Sequence, residues 1–162
     1  MLWATETFFW TPLYLVLLAL IIKTYKWNAV LILVGIALTI TLADQITSSV
    51  MKPYFARPRP SHEAGLQGLL HLVNGYTGGA YGFASSHAAN TFGVALFIFL
   101  LLRRHYAWIS AIFIWAALVS YTRIYLGVHY PGDIAVGALV GSACGLIAFW
   151  CTQQIEKRFI KP

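Results

Sequence analysis

Charge is what this sequence has least of. Asp, Glu, Lys and Arg make up 10% of its 162 residues, where an ordinary soluble domain carries about 25%. Hydrophobic residues reach 59% and mean hydropathy is +0.71, which excludes a water-exposed globule and makes a bilayer the natural solvent. Acidic residues are rarest, five in all, too few to build the carboxylate cage of a two-metal hydrolase. The two cysteines, Cys144 and Cys151, lie in one apolar stretch. A helix would separate them by roughly 10 Å, beyond disulfide reach, so they supply no cross-linked framework and leave the redox compartment open. Also missing are internal repeats, low-complexity tracts and any polar block long enough for a soluble module. One domain is expected over residues 1–162.

Five apolar stretches fill the chain instead, roughly Phe8–Tyr25, Asn28–Met51, Ser86–Arg103, Tyr106–Arg123 and Pro131–Cys151. Each approaches the roughly 20 residues that cross a hydrocarbon core, and none shows the polar face of a soluble bundle helix. Backbone in lipid must satisfy its own hydrogen bonds, so the fold class is all-α, an integral membrane helical bundle of about five transmembrane helices. Glu6 is the only charge before Lys23 and no small-residue cleavage site follows the first apolar run, so that run is expected to be retained. Gly137, Gly141 and Gly145 recur every four residues on the last stretch, a stripe suited to close helix packing.

If the spans alternate, one side receives Lys23, Lys26, Arg103, Arg104, Lys157, Arg158 and Lys161, seven of the eleven cations. Lys52, Arg57, Arg59 and Arg123 fall on the other. The net charge of +6 therefore sits at span ends and does not form a nucleic-acid surface. By the positive-inside rule the seven-cation side is cytoplasmic, and the other faces the periplasm or cell exterior of a bacterial inner membrane. Residues 53–84 form one long outer connection. Within it Leu66, Leu69, Leu70 and Val73 fall at helical spacing, predicting a short amphipathic helix in the interface. Glycines interleaved with Tyr76, Tyr81 and Phe83 follow, readable equally as a lipid entrance or a plain surface loop.

Polar residues that are expensive near lipid gather in three outer clusters. They are Lys52-Pro-Tyr-Phe-Ala-Arg57-Pro58-Arg59-Pro60, Ala84-Ser85-Ser86-His87, and the run from Thr122-Arg123 through His129-Tyr130-Pro131 to Asp133. In this order and spacing they resemble the three motifs of the phosphatidic acid phosphatase type 2 superfamily. Lys52 and Arg59-Pro60 match the first motif, Ser85 and His87 the second, and Arg123, His129 and Asp133 the third. The resemblance covers Lys52 to Asp133, about half the chain. Three departures stand out: Ala84 replaces a family proline, Ser86 a glycine and Thr122 a serine. The family usually has six spans, one more than is counted here.

The residues support such chemistry on their own terms. Lys52, Arg59 and Arg123 supply three cations for a phosphate, and the amides of Ser85, Ser86 and His87 would open a helix, where unpaired N–H groups attract anions. Phosphate can therefore be held without magnesium, and only Asp133 and Glu63 among the acids join the clusters. His129 is the expected nucleophile, Asp133 fixes its tautomer, and His87 is the general acid that later activates water. Because the two histidines must start in opposite protonation states, the pH profile should be bell-shaped. No cofactor or metal is expected, and the partners are a membrane lipid phosphate and the bilayer. Substrates compatible with the resemblance are undecaprenyl diphosphate, phosphatidylglycerol phosphate, phosphatidic acid and a lipid A phosphate.

Arg57 competes with Arg59 for the motif position, and Arg59 has the better spacing from Lys52. Asp44, eight residues before Lys52 on a similar helical face, reads equally as a partner for a site cation or as a hydrogen-bonded polar residue of the bundle. His62, His71 and His105 match no motif and read as interfacial residues. Two other classes compete with the phosphatase: a non-catalytic lipid-binding or transport protein, and a vanadium haloperoxidase. Retention of both histidines opposes the first, and the family's peroxidases are soluble, which opposes the second.

Overall fold

The computed structural model describes residues 2–66, 68–70 and 72–159; His71 and Lys161 lie outside them. Helix α1 (Leu2–Thr5) and a 3-10 turn lead into α2 (Thr11–Tyr25), whose first turn holds a proline where no amide is needed. At Lys26 the backbone takes φ 51°, ψ −121°, which stops the helix and turns the chain back. Next come α3 (Ala29–Asp44), a π-helical segment (Gln45–Met51) and α4 (Lys52–Phe55), ended by Ala56 in the left-handed region at φ 43°. The remaining helices are α5 (Ser86–Leu102), α6 (Ile112–Tyr125) and α7 (Pro131–Phe159). No strand occurs among the described residues; a lone bridge pairs Pro58 with Tyr81.

The helices run up and down as the hydropathy implies. At one end the Tyr25 hydroxyl donates to the Leu101 carbonyl at 2.7 Å, and Asn28 reaches Glu156 at 3.2 Å. At the opposite end Arg123 meets Thr5 at 2.7 Å, and Lys52 meets Ser86 at 2.7 Å. The stretches 7–55, 107–125 and 131–158 are long and apolar enough to cross a membrane; the first folds back at Lys26 and so carries two passes. Large apolar side chains lie bare outside the bundle, among them Phe8, Leu15, Val30 and Leu139, with Trp27 and Trp108 at the cation-rich end. In water this would be a liability, whereas in a bilayer it is the lipid-facing surface and its aromatic belt.

The core joins α2, α3, α5, α6 and α7 around Ile21, Ile32, Phe97, Leu102 and Trp115. Its tightest seam is α5 on α7. A Cβ placed on Gly137 would strike the Ser85 carbonyl, one on Gly141 the backbone of Ala89, and one on Gly145 the backbone of Gly93. The glycine stripe is thus a contact of backbone on backbone, which dispersion rewards where the hydrophobic effect no longer acts.

One expectation fails. Residues 64–75 form no amphipathic α-helix among the described positions, only 3-10 turns at Ala64–Leu66 and Val73–Gly75. Gly68 takes φ of +80° inside the leucine run and Asn74 and Gly75 follow it with φ of 53° and 70°, left-handed backbone that breaks an α-helix.

Candidate active site

The three clusters meet at one end of the bundle. Helix α5 starts where the sequence places it: Ser85 is the N-cap, its Oγ accepting from the Ala88 amide at 3.4 Å, and its own amide donates to the Asp133 carbonyl at 3.0 Å. That bond ties the start of α5 to the start of α7. The first loop is pinned by short antiparallel pairing: the Arg59 amide donates to Ala80 at 3.2 Å and the Gly82 amide to Arg57 at 3.0 Å.

His129 lies between α6 and α7, after a turn that needs left-handed backbone at Gly127 (φ 67°). Its Nδ1 faces Asp133 Oδ2 at 3.3 Å, and the same oxygen accepts from the Tyr130 amide at 2.9 Å. A carboxylate partner puts the proton on Nδ1 and leaves Nε2 with its lone pair free. Burial holds the imidazole below its ordinary pKa; the hydrogen bond and charge of Asp133 push back, and Arg59 and Arg123 add to the lowering. Burial thus favours the neutral ring over the imidazolium.

Asp133 is fully buried, and its second oxygen, Oδ1, pairs with Nη2 of Arg57. The Arg57 guanidinium lies over the rings of Phe83 and Tyr130, at 5.0 and 4.8 Å from their centroids. Sequence reasoning left Arg57 as a weaker competitor of Arg59. The two arginines instead do different things, and nothing in the residue pattern marked Arg57 as the partner of Asp133.

Arg59 and Arg123 are both buried, at 8% and 2% exposure, and the charge of Arg123 works against that of Arg59. Arg59 donates from Nε to the Tyr81 carbonyl at 3.1 Å, while Nη1 is buried with no partner among the described residues. Arg123 donates to Thr5 Oγ1 at 2.7 Å and to the Tyr76 hydroxyl at 3.0 Å, and its Nε is likewise unpartnered. Two buried cations with idle donors are costly unless an anion joins them.

Lys52 donates to Ser86 Oγ at 2.7 Å and to Ser48 Oγ at 3.3 Å. Ser86, which stands where the family motif has glycine, turns its hydroxyl toward Thr47 and Ser48, both at 2.9 Å. Its side chain thus joins the Lys52 network. Ser48 passes that network on to Asp44 at 3.1 Å, so Asp44 belongs to the surroundings of Lys52 through one intervening hydroxyl. His87, beside Ser86, is close enough for the charges of Arg123, His129, Lys52 and Arg59 all to act on it. Of the other histidines, His62 contacts Ser61 at the surface and His105 packs edge-on against Tyr25 at the opposite end of the bundle.

A buried imidazole braced by a carboxylate, a second imidazole that feels the same cations, and a helix start thus share one end of a membrane bundle. The PAP2 superfamily model matches residues 29–157, and the chain belongs to that superfamily. It is thereby a multi-pass membrane lipid phosphatase. Among its relatives is the lipid A 4'-phosphatase of Bacteroides thetaiotaomicron, 43% identical over 152 residues that make up 92% of this chain and 67% of that protein. The lipid A 4'-phosphatase of Porphyromonas gingivalis is 42% identical over 73% of this chain, which spans only half of that relative's length. Among solved structures, the crystal structure of Aquifex aeolicus LpxE superposes with a TM-score of 0.59 at 28% identity, covering 91% of this chain and 81% of that one. A transmembrane PAP2-type phosphatidylglycerolphosphate phosphatase from Bacillus subtilis shares the fold, with a TM-score of 0.58 at 23% identity over 96% of this chain and 72% of that one.

Proposed function

We propose that this phosphatase removes a phosphate from a lipid A-type glycolipid through a phosphohistidine on His129, with its site on the extracytoplasmic side of a bacterial inner membrane. The observation that carries the reading is the pairing of His129 Nδ1 with Asp133, which leaves Nε2 as the free nucleophile. Lys52, Arg59, Arg123 and the amides of Ser86 and His87 grip the phosphate oxygens and stabilise the charge spread over them during transfer. The Ser85 amide, expected from the sequence to join them, is spent on the Asp133 carbonyl instead. Nε2 attacks phosphorus, the P–O bond to the lipid breaks, and His87 gives its proton to the departing oxygen. His87, now neutral, takes a proton from water, whose oxygen displaces His129 and releases inorganic phosphate. The names of the two lipid A 4'-phosphatase relatives favour that substrate over undecaprenyl diphosphate, phosphatidylglycerol phosphate or phosphatidic acid.

The outward orientation rests on Lys23, Lys26, Arg103, Arg104, Lys157 and Arg158, all at the end of the bundle away from the site. The same bundle makes a single phosphatase domain with residues 53–84 as its outer loop. Phosphate release from a panel of lipid phosphates, by purified protein in detergent with EDTA, tests the reading. Wild type should turn over, His129→Ala should be inactive, and His87→Ala should fall by about 10²–10⁴. Turnover that survives His129→Ala would remove the phosphohistidine.

A further inference from the structure

At the end of the bundle away from His129, a cavity of about 460 Å³ lies between the ends of α2, α5 and α7. Its size falls in the range of roughly 300–1,000 Å³ typical of small-ligand sites. Arg103, Arg104 and Lys157 stand in its wall. Arg103 lies over the Phe99 ring at 5.7 Å, and no ion pair holds any of the three among the described residues. The one carboxylate in the wall, Glu156, is buried and accepts from the side-chain amides of Asn28 at 3.2 Å and Gln153 at 3.5 Å. Three cations against one acid leave the pocket with positive charge in excess.

The lining is layered. Phe149 lies eight residues before Lys157 on α7, roughly 12 Å deeper into the bundle, and Leu100 precedes Arg103 by most of a turn at the end of α5. Cations thus crown the pocket while its floor is apolar. Cations that merely anchor a helix end reach for the interface and need no concavity, whereas these surround one. Inorganic phosphate would satisfy the crown and leave the floor unused. A phospholipid headgroup answers both, its phosphate among Arg103, Arg104 and Lys157 and its glycerol on Leu100 and Phe149. Trp27 and Trp108, exposed at the same end, mark the headgroup level at which such a lipid sits. A zwitterionic headgroup would bring a further cation into a pocket already in positive excess, which favours an anionic one.

We propose that this pocket binds the headgroup of an anionic phospholipid, such as phosphatidylglycerol, from the leaflet opposite the candidate active site. It is a second lipid site, a bundle's length from His129, and it stands on the membrane fold without leaning on the phosphohistidine chemistry. Arg104 and Lys157 carry the attraction, and Leu100 and Phe149 seat the glycerol.

The test is native mass spectrometry of the full chain in detergent, titrated with phosphatidylglycerol, phosphatidylcholine and inorganic phosphate. Wild type should bind phosphatidylglycerol about tenfold more tightly than phosphatidylcholine. Arg104→Gln/Lys157→Gln should weaken phosphatidylglycerol about twentyfold, roughly fivefold for each cation lost, with lipid phosphate hydrolysis unchanged as the control for folding. Lys23→Gln/Lys26→Gln removes the same charge from the same end outside the pocket and should stay within about twofold of wild type. Should the first double variant fail to fold, Arg104→Gln alone, at an exposed loop position, decides by its fivefold loss. Equal weakening in the two double variants would make the attraction a diffuse field, and no weakening in the first would move the lipid elsewhere. Inorganic phosphate displacing the lipid at the lipid's own affinity would make the ligand a free anion. Any of these results, or equal affinity for phosphatidylcholine, would overturn the proposal and leave the phosphatase reading intact.

Discussion

Arg57→Gln is the substitution with the most to say about how His129, the proposed nucleophile, is held. Arg57 pairs with the carboxylate that orients His129, and its side chain is 41% exposed while Asp133 is fully buried. A wholly buried pair broken on one side costs about 3–5 kcal/mol, and a fully exposed one about 0–1. With one partner in solvent, about 1–2 kcal/mol is expected, or roughly five- to thirtyfold in kcat/KM, since each 1.36 kcal/mol is tenfold. Loss of packing alone would give a similar figure, so the pH profile decides. Removing the guanidinium leaves the Asp133 charge acting undiluted on His129, which favours the imidazolium. The acidic limb of kcat/KM, set below the ordinary histidine range by burial, should move to higher pH. Arg57→Lys keeps the charge and should hold the limb near its wild-type position. Kinetics of the three proteins between pH 4 and 9 would settle it; an activity loss in Arg57→Gln with an unmoved limb would refute the pairing as a functional device.

Asp133→Asn should do the reverse: with the one group that raises the His129 pKa made neutral, the limb moves to lower pH while kcat falls steeply, as a pH–rate series would register. Ser86→Gly removes the hydroxyl that holds Lys52, and steady-state kinetics should show KM rising about fivefold with kcat nearly kept. Gly141→Val drives a branched side chain into the backbone of Ala89, and its midpoint of thermal unfolding in detergent should drop by several degrees or the protein should fail to accumulate. Adding EDTA to wild type should leave turnover as it was.

Much of this could be read from residues alone because bilayers impose simple rules. The five apolar stretches became helices close to their expected ends, apart from a late α6 start and an α7 that runs eight residues past Cys151, and Ser86 and Pro131 open their helices as the sequence implies. His87, His129, Asp133, Lys52, Arg59 and Arg123 do gather at one end of the bundle. The misses come from irregular backbone. The leucine spacing of 66–73 promised a helix, but left-handed glycines gave turns. Arg57 finds Asp133 only because residues 57–59 pair with 80–82, a long-range register that no local pattern encodes. The grip of Thr5 and Tyr76 on Arg123 has the same origin, since contacts between distant loops leave no period in the chain.

Helices α5 and α7 begin at the two histidine-bearing clusters and are zipped together, glycine against backbone, starting within a turn of them. The gap between His87 and His129 is thus tied to the thickness of two bare main chains, a dimension that side chains at the rim do not set. Reshaping the rim to welcome a new lipid leaves that ruler untouched, so the enzyme can change its diet without retuning its reaction.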